Sequence, residues 1–138
     1  MVQVAQRQLA GNPLAQCISL VEGDIFRSPI PQGHDVCIIA NVLHTLSPDH
    51  IVEMLANLRK HMTPGARLLL VDVFTDPGHT DPPFAALMAG EFLVMTSEGD
   101  VYSEQETREW LGQTGWKELE KRPLDGPFSL VVAEAVSD

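Results

Sequence analysis

Apolar residues recur along the chain with two spacings, one typical of helices and one typical of buried strands. Spacings of three and four residues predict helices over 2–9, 48–62, 84–95 and 103–112. Apolar runs predict strands over 18–21, 35–43 and 67–74, and we expect 35–43 to be buried on both faces. Two more strand candidates, 117–121 and 128–135, flank Gly126-Pro127 and predict an antiparallel hairpin.

Capping signals mark where two of these helices begin. Ser47 precedes Pro48, which is the usual order of a cap residue and the first helical position. Ser103 and Glu106 have the spacing of a capping box, in which the two residues satisfy each other's backbone N–H groups. The starts of the second and fourth helices are therefore predicted from side-chain chemistry as well as from periodicity.

The alternation of strands and helices predicts an α/β fold, with a sheet flanked by helices and a C-terminal β-hairpin. In such sheets, ligands bind beyond the carboxyl ends of the strands. That rule directs attention to Gly23-Asp24, to residues 41–44 and to residues 72–76, which lie at or just beyond the carboxyl ends of the first three predicted strands.

Composition narrows the classes of partner. The chain of 138 residues carries 19 acidic and 9 basic residues, for a formal net charge of -10. An acidic surface repels phosphate groups, so neither nucleic acid nor an anionic membrane is an expected partner. Cys17 and Cys37 lie in or beside apolar runs, so we expect buried free thiols, a reducing compartment and a cytoplasmic protein.

Three stretches at the strand ends, in this order and spacing, carry a family resemblance: GDIFRSPIP, DVCIIANVLHTLSPDH and LRKHMTPGARLLLVDVF. They resemble the class I methyltransferase fold, and in particular the small-molecule O-methyltransferases that include plant caffeate-type and bacterial polyketide-tailoring enzymes. The later stretch PPFAALMAGEFLVMTSEGDVYSEQETREWLGQTGW resembles the same family. The resemblance implies a partial Rossmann-like sheet, S-adenosylmethionine as cofactor, and methyl transfer to a hydroxyl of a small-molecule acceptor.

The same resemblance assigns a cofactor-binding role to six residues near two strand ends. In the family, an acidic residue after the third strand contacts the adenine amino group, and Asp24 holds that position. Flat and apolar neighbours can pack on the purine. The alternative is a simple turn, since Gly-Asp is common turn chemistry. The implied set is Gly23, Asp24, Ile25, Phe26, Ala40 and Asn41.

A catalytic pair is implied at the next two strand ends. The general base of the plant enzymes corresponds to His44, whose imidazole suits proton transfer near neutral pH. Asp72 corresponds to the acid that orients this base. The alternatives are a histidine that bonds local backbone and a solvated strand-end aspartate. A second acid of the plant enzymes aligns with Val101, a departure that weakens direct transfer of their mechanism.

The predicted helix at 84–95 is the family's acceptor-binding helix. Met88, Phe92 and Met95 share a face by helical spacing, and we expect them to line the acceptor pocket. The alternative is that they are ordinary core residues. Glu91 interrupts the apolar pattern and is a further candidate for the pocket. No cluster of residues has metal-ligand spacing, so no metal is expected.

The sequence lacks the family's glycine-rich loop and the acid that follows its second strand. We therefore expect residues 1–138 to be the C-terminal portion of a catalytic domain, without its first two strands. Open sheet edges invite association, so the chain is expected to rearrange, to form a homodimer, or to be part of a longer protein. Two rival hypotheses are a truncated, inactive methyltransferase-like protein with a structural role and an unrelated nucleotide-binding α/β domain.

Overall fold

A computed structural model describes residues 2–137, and all structural statements below refer to them. The helices are α1 (Val2–Leu9), α2 (Pro48–His61), α3 (Pro83–Thr96) and α4 (Glu104–Gln113), with short 3-10 helices at Ala15–Cys17 and Leu43–Thr45. The strands are β1 (Val36–Ala40), β2 (Arg67–Val73), β3 (Trp116–Pro123) and β4 (Phe128–Ala135).

The four strands form one mixed sheet in the order β1-β2-β4-β3. β1 and β2 run parallel, as expected for strands joined through a helix, whereas β4 pairs antiparallel with both β2 and β3. The predicted hairpin around Gly126 is confirmed, with Gly126 in the left-handed region at φ 74°. The α/β fold predicted from the alternation of elements is thus the observed one.

Both predicted helix starts are confirmed. The Ser47 hydroxyl accepts the N–H of His50, and Pro48 is the first residue of α2. At α4, Ser103 Oγ accepts the N–H of Glu106 and the Glu106 carboxylate accepts the N–H of Ser103 at 2.8 Å. These bonds satisfy N–H groups that have no partner inside a helix.

The main core lies between the sheet and helices α2 and α4. Leu55, Leu68, Leu111 and Val131 are fully buried there, and the Trp116 indole N–H donates to the Leu55 carbonyl at 3.2 Å. A second, smaller cluster forms where α3 meets the end of β2. Its buried residues are Val73, Ala85 and Val101, with Met88, Ala89, Phe92 and Phe128 packed against them. This smaller cluster supports the site described below.

The strand predicted at 18–21 is wrong. The segment is extended at Ile18 but pairs with no other strand, and Val21 is 61% exposed. A strand needs a hydrogen-bonded neighbour, and apolar sequence alone does not supply one. The expectation that 35–43 is buried on both faces is also wrong, because β1 is an edge strand with Val36 47% and Ile38 65% exposed.

The expectation that both cysteines are buried is wrong for Cys17. Cys17 is exposed and Cys37 is partly buried; both are free thiols, and burial raises the pKa of Cys37. α3 is apolar on all sides, so only the stripe facing the sheet is covered, and Leu87 is 77% exposed. None of the described helices is long and apolar enough to cross a membrane.

Candidate active site

The two residues predicted as a catalytic pair are in contact at the carboxyl ends of β1 and β2. His44 Nδ1 lies 2.6 Å from Asp72 Oδ1, and the side chains are 11% and 2% exposed. Asp72 also accepts the N–H of Leu43 at 3.1 Å and its neighbour Val73's N–H at 2.9 Å. The carboxylate is therefore buried and bonded, not solvated, and His44 bonds a side chain rather than local backbone.

This arrangement fixes the imidazole for proton transfer. When His44 is neutral, donation from Nδ1–H to Asp72 leaves the lone pair on Nε2, the atom that can accept a proton. If Nε2 takes a proton, the buried carboxylate stabilises the imidazolium that forms. The pair can thus act as a general base with an orienting acid.

The loop that carries His44 is packed against α3 and against the segment that follows α3. The Phe92 ring stacks on the His44 ring, with 3.9 Å between centroids and 18° between planes. A Cβ on Gly99 would lie 2.1 Å from the His44 carbonyl oxygen, so only glycine permits this approach. The Tyr102 hydroxyl donates to the Leu46 carbonyl at 2.6 Å. Sequence reasoning missed the roles of Gly99 and Tyr102, since neither contact has a local signal.

The turn predicted to hold adenine is folded on itself and anchored to α2. Asp24 N–H donates to Ser28 Oγ at 2.7 Å, and Asp24 Oδ1 accepts the N–H of Phe26 at 2.8 Å. A Cβ on Gly23 would meet Ser28 Cβ at 2.9 Å, so the turn requires glycine here. Asn57 Nδ2 donates to the Ile25 carbonyl at 3.0 Å. Asp24 itself is exposed, and the hydrogen bond from Phe26 orients its carboxylate.

The end of β1 exposes the other two residues predicted to bind the cofactor. Ala40 and Asn41 are exposed, and Asn41 adopts a left-handed conformation with φ 56°. Asparagine tolerates that conformation better than most residues. Phe26 contacts α2, because its ring lies 5.1 Å from that of His50 in the first turn of that helix.

The three predicted acceptor residues are placed differently from one another. Phe92 and Met88 are partly buried in the smaller cluster, whereas Met95 is 71% exposed. Glu91 is exposed as well. The structure therefore brings Phe92 to His44 and places Met95 and Glu91 at the surface of α3.

The acids near Val101 do not reach His44. Val101 is fully buried in the smaller cluster. Glu98 contacts His50 Nδ1 at 2.9 Å, and a carboxylate oxygen of Asp100 lies 3.8 Å from His79 Nδ1. Both acids line a cavity of about 370 Å³ whose lining does not include His44. Asp72 is thus the acid that contacts this base. Within residues 2–137, no group of three or more His, Cys, Asp or Glu side chains could hold a metal ion.

Comparison with known proteins decides the family. The model of the O-methyltransferase domain family matches residues 1–117. The chain belongs to this family. The matched region contains His44, Asp72, the Gly23-Asp24 turn and the helix α3, so the features resembling O-methyltransferases lie within the matched domain.

Individual relatives agree with the family model. The chain is 31% identical over 116 residues to acetylserotonin O-methyltransferase of Mus musculus, covering 84% of this chain and 30% of that protein. It is 28% identical over 120 residues to the S-adenosyl-L-methionine-dependent methyl transferase PigF of a Serratia strain, covering 86% of this chain and 34% of that protein.

A solved structure matches the fold closely. An O-methyltransferase family 2 protein from Planctomyces limnophilus, in complex with apigenin, superposes with a TM-score of 0.89 and 26% identity. The match covers 97% of this chain and 39% of that one. The fold is thus that of the C-terminal part of class I O-methyltransferases, as expected. The chain spans about a third of the length of the curated relatives it matches.

Proposed function

We propose that this O-methyltransferase domain transfers a methyl group from S-adenosylmethionine to a hydroxyl of a small aromatic acceptor. The observation that carries the proposal is the buried His44–Asp72 pair at adjacent strand ends, with 2.6 Å between Nδ1 and Oδ1. The site of ligand binding in open α/β sheets lies at these ends. Family membership and the named cofactor of the Serratia relative support the same reaction.

The residues present fit one end of the cofactor. Asp24 is exposed and oriented by its own turn, so its carboxylate can accept the amino N–H of adenine. The cavity beside it has a volume of about 170 Å³, below the roughly 300 Å³ at which sites for whole small molecules begin. The adenine end of the cofactor would therefore be held by Gly23, Asp24, Ile25 and Phe26. The part of the cofactor nearer His44 would be faced by Ala40 and Asn41.

The chain's own contribution to the reaction is binding, alignment and proton transfer. When bound, S-adenosylmethionine supplies an electrophilic methyl group on a positively charged sulfur. His44 Nε2 takes the proton of the acceptor hydroxyl, which makes the oxygen a stronger nucleophile. Asp72 holds the imidazole in place and stabilises its protonated form. Phe92, which stacks on this histidine, and Met88 on the same helix would contact the acceptor. The more exposed Met95 would contact it from the end of α3.

The names of two relatives support the proposed acceptor class. One is named for acetylserotonin and one neighbour was solved with apigenin. Apolar side chains on α3, including Phe92 and Met88, suit a flat aromatic molecule. We propose a small hydroxylated aromatic molecule as the acceptor. We also propose that the protein acts in the cytoplasm and that neither nucleic acid nor a membrane is its partner.

Calorimetric titration of the full-length protein with S-adenosylhomocysteine tests the cofactor site. We expect one site per chain, and we expect Asp24→Ala to weaken binding by roughly ten- to a hundredfold, the loss of one charge-assisted hydrogen bond. Asp125→Ala, in the exposed β3–β4 turn, is the matched control and should bind like the unchanged protein. A folded protein that binds no S-adenosylhomocysteine would instead favour the inactive, structural alternative.

A further inference from the structure

We propose that Phe92 is a positioning residue for His44, and that the stacking of its ring holds the imidazole in the plane required for proton transfer. The proposal rests on the proposed function, because it concerns the base of that reaction. This role adds to the acceptor contact proposed above for Phe92, and it differs from that of an ordinary core residue.

The contact with Asp72 does not by itself fix the plane of the His44 ring. Its carboxylate contacts the imidazole at one atom, Nδ1, at 2.6 Å. A ring held at one edge atom can still tilt about that contact, and base catalysis depends on the direction of the opposite nitrogen. A second contact on the ring face is needed to define its plane.

Phe92 supplies that contact. Its ring centroid lies 3.9 Å from that of His44 and the two planes differ by 18°, so the rings are in face-to-face contact. A tilt of the imidazole toward α3 would force its atoms into the phenyl ring. The contact thus removes the motion that the hydrogen bond to Asp72 leaves open.

Phe92 is itself held in place. It packs against the cluster of Val73, Ala85 and Val101, which are all buried. Its carbonyl accepts the hydroxyl of Thr96 at 2.8 Å, and Thr96 Oγ1 accepts the N–H of Gly99 at 2.8 Å. Gly99 in turn lies against the His44 carbonyl. The loop of His44, the helix of Phe92 and the turn after it therefore form one connected unit.

The kinetic test compares Phe92→Leu, which keeps an apolar side chain, with Phe92→Tyr, which keeps a flat ring. In the full-length protein, with S-adenosylmethionine and a hydroxylated aromatic acceptor, we expect Phe92→Leu to lower kcat by roughly ten- to a hundredfold, as small misplacements of catalytic groups do. The acceptor KM should rise by a smaller factor than kcat falls, and Phe92→Tyr should restore most of kcat. Val94→Ala, at an 83% exposed site on the same helix, is the control.

A second readout does not require activity. The face of a phenyl ring shifts nearby protons upfield, so NMR of histidine-labelled protein should show upfield imidazole resonances for His44, assigned by their loss in His44→Gln. The shift should persist in Phe92→Tyr and disappear in Phe92→Leu.

Two outcomes would overturn the proposal. One is a raised acceptor KM with unchanged kcat in Phe92→Leu, which would make Phe92 a wall of the acceptor site only. The other is an unshifted His44 resonance in the unchanged protein, which would show that the rings do not stack. If the unchanged protein transfers no methyl group, the proposed function fails, and the NMR result still decides the stacking.

Discussion

Gly99 lies so close to the carbonyl oxygen of His44 that a Cβ at this position would be 2.1 Å from it. The contact is with backbone, which cannot rotate away as a flexible side chain does. Gly99→Ala should therefore lower the free energy of unfolding by about 1–3 kcal/mol, the usual cost of overpacking, and should displace the base and reduce kcat.

A second glycine provides the matched control for this prediction. A Cβ on Gly112, within α4, would meet nothing within 4 Å. Gly112→Ala should raise the free energy of unfolding by up to about 1 kcal/mol, because alanine favours the helix. Urea denaturation of both variants measures the difference. Equal stabilities for the two would show that the turn at Gly99 is not packed against His44.

Asp72→Asn should damage both stability and turnover. Asp72 is 1% exposed and its oxygens accept the N–H groups of Leu43 and Val73. An amide turns one acceptor into a donor, which leaves a buried N–H unsatisfied at a cost of about 1–3 kcal/mol. It also removes the charge that stabilises protonated His44, so kcat should fall more than the acceptor KM rises. Steady-state kinetics with unchanged kcat would remove Asp72 from the catalytic pair.

Much of the fold could be predicted from interactions between residues that are close together in the sequence. The cap at Ser47, the capping box of Ser103 and Glu106, and the hairpin at Gly126 each depend on residues a few positions apart. The strand predicted at 18–21 failed because a strand depends on a partner that periodicity does not identify. Cys17, in the same part of the chain, is exposed although an apolar run follows it.

Part of the candidate site could be predicted from the sequence as well, and part could not. The strand-end rule singled out the segments that hold His44 and Asp72, because parallel strands bring their carboxyl ends to one edge of the sheet, and the family resemblance assigned the roles of the two residues. The contacts of Phe92 and Gly99 with His44 span about 50 positions and depend on how α3 packs. Spacing along a helix placed Met88, Phe92 and Met95 on one face, yet it did not show which of them would meet the histidine.

The capping box should account for a measurable part of the stability. Ser103 is 1% exposed, and its hydroxyl and N–H both bond the Glu106 carboxylate. Burial opposes ionisation of Glu106, but these bonds and the nearby His79 outweigh it and lower the pKa. Ser103→Ala should lower the free energy of unfolding by about 1 kcal/mol. Gln105 lies on the exposed side of the same turn, and Gln105→Ala should change the free energy of unfolding by less than about 0.5 kcal/mol. If Ser103→Ala were as stable as this control, the capping box would not contribute to stability.

The contact of His50 with Glu98 should make stability depend on pH. The hydrogen bond to Glu98 is the main cause that raises the pKa of His50 above its usual 6.5, with burial acting in the opposite direction. A raised pKa in the folded state means that the stabilisation is complete below about pH 6.5 and is lost as the pH rises through the folded value. The Tm of the unchanged protein should exceed that of His50→Gln at pH 5, and the difference should vanish at alkaline pH.

A loop histidine is the control for this effect. His34 is exposed, and His34→Gln should give the same Tm difference from the unchanged protein at each pH. A Tm difference for His50→Gln that grows with pH would contradict the sign derived from the contact with Glu98.

The most direct test of the central claim is the turnover of His44→Gln in the full-length protein, with S-adenosylmethionine and a hydroxylated aromatic acceptor. The account predicts that kcat falls by roughly a hundredfold or more, the usual contribution of a general base, while S-adenosylhomocysteine binds as before. The control is His61→Gln: His61 lies on α2, with its Nδ1 bonded to the Asn57 carbonyl, and this variant should keep the original kcat. An unchanged kcat in a folded His44→Gln protein would contradict the account, because it would show that the His44–Asp72 pair does not take the acceptor's proton.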